Sequence, residues 1–91
     1  MEYSIEFTHQ YLKDLKLARK RGLNEDRLNE VIRCLASGKS LLPKHKDHLL
    51  VGDYRGLREC HIQPDWLLIY EREESLKILN LIRTGSHSDL F

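Results

Sequence analysis

Apolar residues take alternate positions at the start of the chain, Tyr3, Ile5 and Phe7 with Ser4 and Glu6 between them, which is the period of a strand with one buried face. Thr8 then stands where a helix cap belongs. From His9 to about Arg21 the spacing becomes helical, with Tyr11, Leu12, Leu15 and Ala18 set among Lys13, Lys16, Arg19, Lys20 and Arg21. Gly22 ends this helix. Asn24 caps a second one, with Glu25 and Asp26 in its first turn, Leu28, Val31, Ile32 and Leu35 as its apolar stripe, and Gly38 as its stop. The pattern predicts a helical hairpin whose apolar side must lie against something.

The remaining sequence supplies a sheet. After a basic loop from Lys39 to Asp47 containing Pro43, short apolar runs recur: Leu49 to Val51, Leu57 to Ile62, Leu67 to Arg72 and Ser75 to Ile82. Gly52 and Gly56 bracket the first turn, Pro64 and Asp65 mark the second, and Glu73 with Glu74 the third. These spacings predict an antiparallel meander. The last two runs carry apolar residues on both parities, so those strands are expected to be central and covered on both faces. The fold class is therefore α+β, an N-terminal strand and helical hairpin packed on a twisted antiparallel sheet, with residues 1–91 forming a single domain.

Composition narrows the function classes. With 91 residues, 41% hydrophobic and 32% charged, the chain is of ordinary globular make-up, and one core is what its length allows. No apolar run approaches a membrane span and the N-terminus does not read as a signal peptide, so no membrane partner and a cytoplasmic location are expected. Cys34 and Cys60 lack metal-type or redox-type spacing and are expected to be reduced. The net charge of +1 conceals a polarity: residues 11–46 carry ten basic and four acidic side chains, residues 47–91 five and eight. A basic helical half suits approach to a polyanion, and suits an ordinary solvated surface equally well.

Chemistry concentrates in HLLVGDYRGLRECHIQPDW, residues 48–66, and in the final RTGSHSDLF. His48, His61 and His87 would reach one edge or face of the predicted meander. Imidazole, titrating near ~6.5, both accepts and donates protons at neutral pH. Asp65 follows His61 across a turn and is placed to orient an imidazole or act as a base. Cleaving RNA with its own 2′-hydroxyl needs a base, an acid and a cation for the phosphorane, and no metal or other cofactor. Arg83, with Arg58 as a second candidate, supplies the cation; Phe91 or Trp66 offers a face for an unpaired base. Zinc on His48, His61 and Asp65 fits less well, because no close histidine pair is present and the surrounding arginines suit phosphate. Arg58 reads equally as a partner for a neighbouring carboxylate, whereas Trp66 reads first as a core aromatic, and Gly52, Gly56, Gly85 and Pro64 are turn makers rather than chemical groups. His9 and His45 lie outside the pattern, although His45 sits in the basic stretch KHKD, where RNA phosphate is within reach.

The two stretches, H-L-x-V-G-x-Y-R-G-x-R-E-C-H-I-x-P-D-W-L-L-I-Y and R-T-G-S-H-S-D-L-F, resemble the YafQ-type branch of the RelE/ParE toxin superfamily, and the resemblance extends over nearly the whole chain. It implies a bacterial toxin of a type II toxin–antitoxin pair that cuts mRNA in the ribosomal A site, against the 16S rRNA of the small subunit, without metal. It also implies an antitoxin that wraps the toxin, and a complex of the two that binds operator DNA. In this sequence the matching positions are His48, His61 and Asp65 as acid, base or orienting groups, Arg83 as the cation, His87 as the leading proton-transfer residue and Phe91 as the stacking terminus. Which histidine is the acid remains open at this level. Two alternatives belong to other classes: a non-catalytic ParE-like inhibitor of DNA gyrase, and an inactive homologue acting only through its antitoxin.

Overall fold

The computed structural model describes residues 2–91. Strand β1 (Ser4–Phe7) leads into α1 (His9–Lys20) and α2 (Glu25–Ala36). The meander follows as β2 (His48–Leu49), β3 (Arg58–Gln63), β4 (Trp66–Glu73) and β5 (Ile78–Gly85), and a single helical turn, α3 (His87–Leu90), closes the order. The sheet runs β1-β5-β4-β3-β2, antiparallel throughout the meander and parallel where β1 meets β5. The parallel join lies outside the predicted pattern, because it pairs the two strands farthest apart in sequence.

The helices begin and end where their caps require. The Thr8 hydroxyl accepts from the Tyr11 N–H, and the Asn24 side chain accepts from the Asp26 N–H, satisfying donors that a helix start leaves unpaired. Leu28, Val31, Ile32 and Leu35 are all buried, each contributing about 1.5–3 kcal/mol of apolar transfer. They pack with Tyr11 and Ala18 on Cys60, Ile62, Trp66, Leu68, Tyr70, Leu79 and Leu81 of the sheet. The opposite face carries a smaller cluster, Leu67, Ile69 and Leu90, with Leu50, Tyr54, Leu57 and Ile82 against it. β4 is buried from Trp66 to Tyr70, as its unbroken apolar run predicts.

Two expectations fail at the N-terminus. Tyr3 is buried, but Ile5 and Phe7 are about half exposed (47% and 53%), and Leu12 is also exposed. β1 is an edge strand of four residues with neighbours on one side only, so alternation there does not imply a covered face. Both cysteines are free, as expected. No helix among the described residues is long and apolar enough to cross a membrane.

β1 stops at Phe7, opposite Leu81, so the edge of β5 beyond that point needs another partner. Helix α1 supplies it. The Thr8 hydroxyl donates to the Ile82 carbonyl (2.7 Å), and the buried Asp14 carboxylate accepts from the Thr84 backbone N–H (3.2 Å) and from Arg83 Nε and Nη2 (3.0 and 2.9 Å). Asp14 occupies the apolar side of α1, where a carboxylate is tolerated only because four donors converge on it, the fourth being Gln10 Nε2 (3.0 Å). Asp14→Asn is expected to lower unfolding free energy by about 2–3 kcal/mol, discounted for the partial exposure of Arg83. Urea titration measures this, and a loss below about 0.5 kcal/mol would mean that the pair does not hold the edge.

Candidate active site

Strand register assembles the site. His48 pairs with Glu59, Glu59 with Ile69, and Ile69 with Arg83, so these four residues form one row across β2, β3, β4 and β5. Directly paired residues of an antiparallel sheet point to the same side, here the side of the smaller cluster, opposite the core under α1 and α2. His61, Leu67 and Gly85 form the next row. Arg83 joins this face through an irregularity in β5: Ile69 pairs with Arg83 but Tyr70 with Leu81, leaving Ile82 as an extra residue. Strict alternation would put Arg83 on the helix side with Leu79 and Leu81; the bulge turns it to the other.

Glu59 is the buried acidic member of this face. Its Oε1 lies 3.6 Å from His48 Nε2 and 3.7 Å from His61 Nε2, while Oε2 is buried with no partner among the described residues. His48 Nδ1 donates to the Lys46 carbonyl (2.7 Å), an arrangement that requires its hydrogen on Nδ1 and points Nε2 at the carboxylate.

His87 arrives from the other direction and is held in two ways. Asp65 Oδ1 accepts from the His87 backbone N–H (3.0 Å) and from its Nδ1 (2.7 Å). These hydrogen bonds hold the Asp65 carboxyl below the usual carboxylate range. An ionised acceptor there assigns the ring hydrogen to Nδ1 and leaves Nε2 free. The His61 and His87 rings meet edge to face, with centroids 5.7 Å apart.

The tail that carries His87 is pinned by several elements. Ser86 and Asp89 form a reciprocal capping box, and Arg21 from the end of α1 grips Asp89 with two hydrogen bonds (2.6 and 3.1 Å). The Arg21 guanidinium, followed by the Ser86 N–H, holds the Asp89 carboxyl well below its ordinary range. Leu90 is buried in the smaller cluster, and the Tyr54 hydroxyl donates to its carbonyl (3.2 Å). Gly85 is required for close approach, since a Cβ there would lie 3.0 Å from both Cβ and Oδ2 of Asp89.

The structure thus brings His48, His61, Asp65, Arg83 and His87 to one side of the sheet. Phe91 stands at its edge, 63% exposed, with its ring against Tyr54 (centroids 5.4 Å, 83°). Two expected residues are elsewhere. Trp66 is 2% exposed on the helix side and its Nε1 donates to Thr84 Oγ1, so it offers no face for a base. Arg58 pairs with Tyr70 across the sheet and its Nε donates to Asp47 (3.1 Å), which directs it away from the histidines. Sequence reasoning missed Glu59, Tyr54 and Asp14. Parity alone would have found Glu59, two residues before His61 on the same strand face.

Donor atoms of Glu59, His61 and His87 lie within 4.8 Å of one another, and imidazoles with a carboxylate suit a divalent transition metal. The unpartnered Glu59 oxygen supports that fit.

Relatives share this architecture. The family model described as a bacterial toxin of type II toxin–antitoxin system, YafQ, matches residues 3–91. The mRNA interferase toxin YafQ of Escherichia coli strain K12 is 40% identical over 92 residues, spanning 100% of this chain and 98% of that protein. A metal-bound toxin from Helicobacter pylori, solved by crystallography, gives a TM-score of 0.91 at 43% identity and covers 100% of both chains. A chain of the E. coli DinJ–YafQ toxin–antitoxin complex gives 0.90 at 39% identity, over 100% of this chain and 99% of that one. Fold and site together define a class, the toxin endoribonucleases of type II toxin–antitoxin systems. Within it, this chain belongs to the YafQ family of mRNA interferase toxins.

The anchoring of α3 has a defined pH dependence. Asp65 and Asp89 titrate lower in the fold than in the unfolded chain. Their contribution is therefore complete above the ordinary carboxylate value of ~3.9 and is lost as pH falls toward the lower folded values. The His87 amide is expected to stay protected from hydrogen exchange down to about pH 4. Loss of protection near pH 6 in an NMR titration would show that the carboxylates are not its anchor.

Proposed function

We propose that this toxin cuts mRNA in the ribosomal A site by transesterification, with the RNA 2′-hydroxyl as nucleophile. The observation that carries this reading is the meeting of His61 and His87, each beside a carboxylate, on the face that also presents Arg83. One imidazole removes the 2′-hydroxyl proton while the other protonates the departing 5′-oxygen, leaving a 2′,3′-cyclic phosphate. Glu59 and Asp65 compensate whichever ring becomes imidazolium. His48, sharing Glu59 with His61, is the third group able to exchange protons there.

Arg83 meets the charge that develops on the phosphorane. Asp14 occupies two of its N–H groups and fixes the guanidinium plane; the Asp14 bonds, and the Tyr54 hydroxyl beside it, keep Arg83 protonated at any working pH. Phe91, exposed yet seated on Tyr54, receives an unstacked base. The partners in this reading are mRNA, with 16S rRNA of the small subunit as the surface that presents it, and a cognate antitoxin, the complex of the two binding operator DNA. The DinJ–YafQ complex of a relative supports the antitoxin.

Glu59, His61 and His87 are also the residues that would hold a transition metal. Such an ion brings Lewis acidity but engages the imidazole lone pairs that proton transfer uses. Metal binding is therefore read as inhibitory at this site.

His87→Ala is expected to slow the chemical step by about 10² or more while leaving the fold intact, and Arg83→Ala to slow it as much with a loss of stability as well, because it strands the buried Asp14 carboxylate. Single-turnover cleavage on programmed ribosomes measures this, and near wild-type rates would remove that residue from the mechanism. In the same assay, with free magnesium held fixed for the ribosome, chelators selective for transition metals are expected to leave the rate unchanged and added zinc or copper to suppress it. Loss of activity on chelation, restored by zinc, would overturn the metal-independent route.

A further inference from the structure

A second feature adjoins the site through His61. Between the N-terminal part of α2 and the loop after it lies a cavity of about 350 Å³, with Arg27, Lys44, His45, Lys46, His61 and Pro64 in its wall and no acidic residue among its lining. Its size is within the range of small-ligand pockets. Most arginines near the site already have carboxylates: Arg21 has Asp89, Arg58 has Asp47 and Arg83 has Asp14. Arg27, Lys44 and Lys46 have none among the described residues. Three uncompensated cations around one concavity give it a positive potential that an anion would relieve.

The loop that brings two of these cations is built into the site. Pro43–His45 forms a short 3-10 turn, after which Lys46 takes the left-handed conformation at φ 46°. A lysine there is strained relative to ordinary backbone and persists only where its surroundings hold it. Two hydrogen bonds do so. His45 Nδ1 donates to the His61 carbonyl (2.7 Å), and the Lys46 carbonyl receives His48 Nδ1. The cationic loop is therefore fastened to two of the three histidines of the site.

We infer that this cavity is a subsite for an RNA phosphate flanking the scissile one, bound by Arg27, Lys44 and Lys46. The inference rests on the ribonuclease reading above. A strand whose scissile phosphate lies by His61 and His87 carries its neighbouring phosphate past the cavity that His61 helps to wall. The fork of Arg27 matches phosphate oxygens in pairs, and the lysines add point charges. Ile62 and Pro64 give an apolar wall for the adjoining sugar.

The test measures binding separately from cleavage. Arg27→Gln, Lys44→Gln and the double variant are compared with wild type, with Lys16→Gln on α1 as a control for net charge. Each is titrated against ribosomes programmed with mRNA bearing a 2′-deoxy nucleotide at the cut position, so that binding is read even if no cut can occur. The double variant is expected to bind about 10-fold more weakly, and the slope of log affinity against log salt to fall by about 0.7 for each cation removed. A neutral methylphosphonate is then placed at each phosphate in turn. It should weaken wild type at one position flanking the cut and leave the double variant unchanged there. Unaltered affinity and salt slope in variants with wild-type melting temperature would overturn the subsite. So would a loss indifferent to every methylphosphonate, which assigns the cations to ribosomal RNA, or a loss confined to antitoxin binding. Failure of wild type to cut the all-ribose mRNA would count against the ribonuclease reading, a separate result from this one.

Discussion

The architecture depends on a single buried carboxylate. Asp14 projects from α1 into the place where β1 has ended, completes the hydrogen bonding of the β5 edge at Thr84 and holds Arg83 in two hydrogen bonds. Without it, that edge would present an unpaired backbone donor in a buried setting, and the arginine would lose the contact that fixes its plane. The same residue thus ties helix to sheet and scaffold to chemistry. Its position relative to the bulge at Ile82 matters equally, because the bulge is what turns Arg83 from the packed side of the sheet to the open one.

The histidines are organised by a different device. Two of them are oriented by a fixed acceptor, a backbone carbonyl for His48 and Asp65 for His87, while Glu59 faces both His48 and His61 from just beyond hydrogen-bond distance. The imidazoles from β2 and α3 are thereby presented with defined hydrogen positions before substrate arrives. Little reorganisation is then needed at the moment of reaction, which is where such sites derive much of their effect. The small cluster of Leu67, Ile69 and Leu90 beneath them serves as the apolar floor.

Most of the scaffold was legible from periodicity and turn residues. Thr8, Asn24 and Gly38 marked helix ends by their local hydrogen-bonding and backbone preferences, and Leu28 to Leu35 marked a buried stripe. The parallel pairing of β1 was not legible, since no local signal links residues 4–7 to residues 78–81. The histidines, Asp65, Arg83 and Phe91 were picked out because their chemistry is conspicuous and their pattern resembles a known family. Trp66 reads first as a core aromatic and only second as a stacking face, and the first reading holds, its burial depending on Thr84 being across the sheet to receive its N–H. Asp14 escaped notice because a charge amid apolar helix positions looks like solvent-facing noise until its distant partners are known. Arg58 illustrates parity, one residue from Glu59 in sequence and on the other face in space.

The row from His48 through Glu59 and Ile69 to Arg83 also separates chemistry from framework. None of these side chains belongs to the larger core beneath α1 and α2, and apart from Ile69, buried in the smaller cluster, and Arg83, the partner of Asp14, the positions are open to exchange while the main chain that aligns them stays as it is. A sheet of this kind is a modular platform. Substituting what stands on it could retire the nuclease and leave a binding surface of the same outline, so that toxins with unrelated targets can share one backbone.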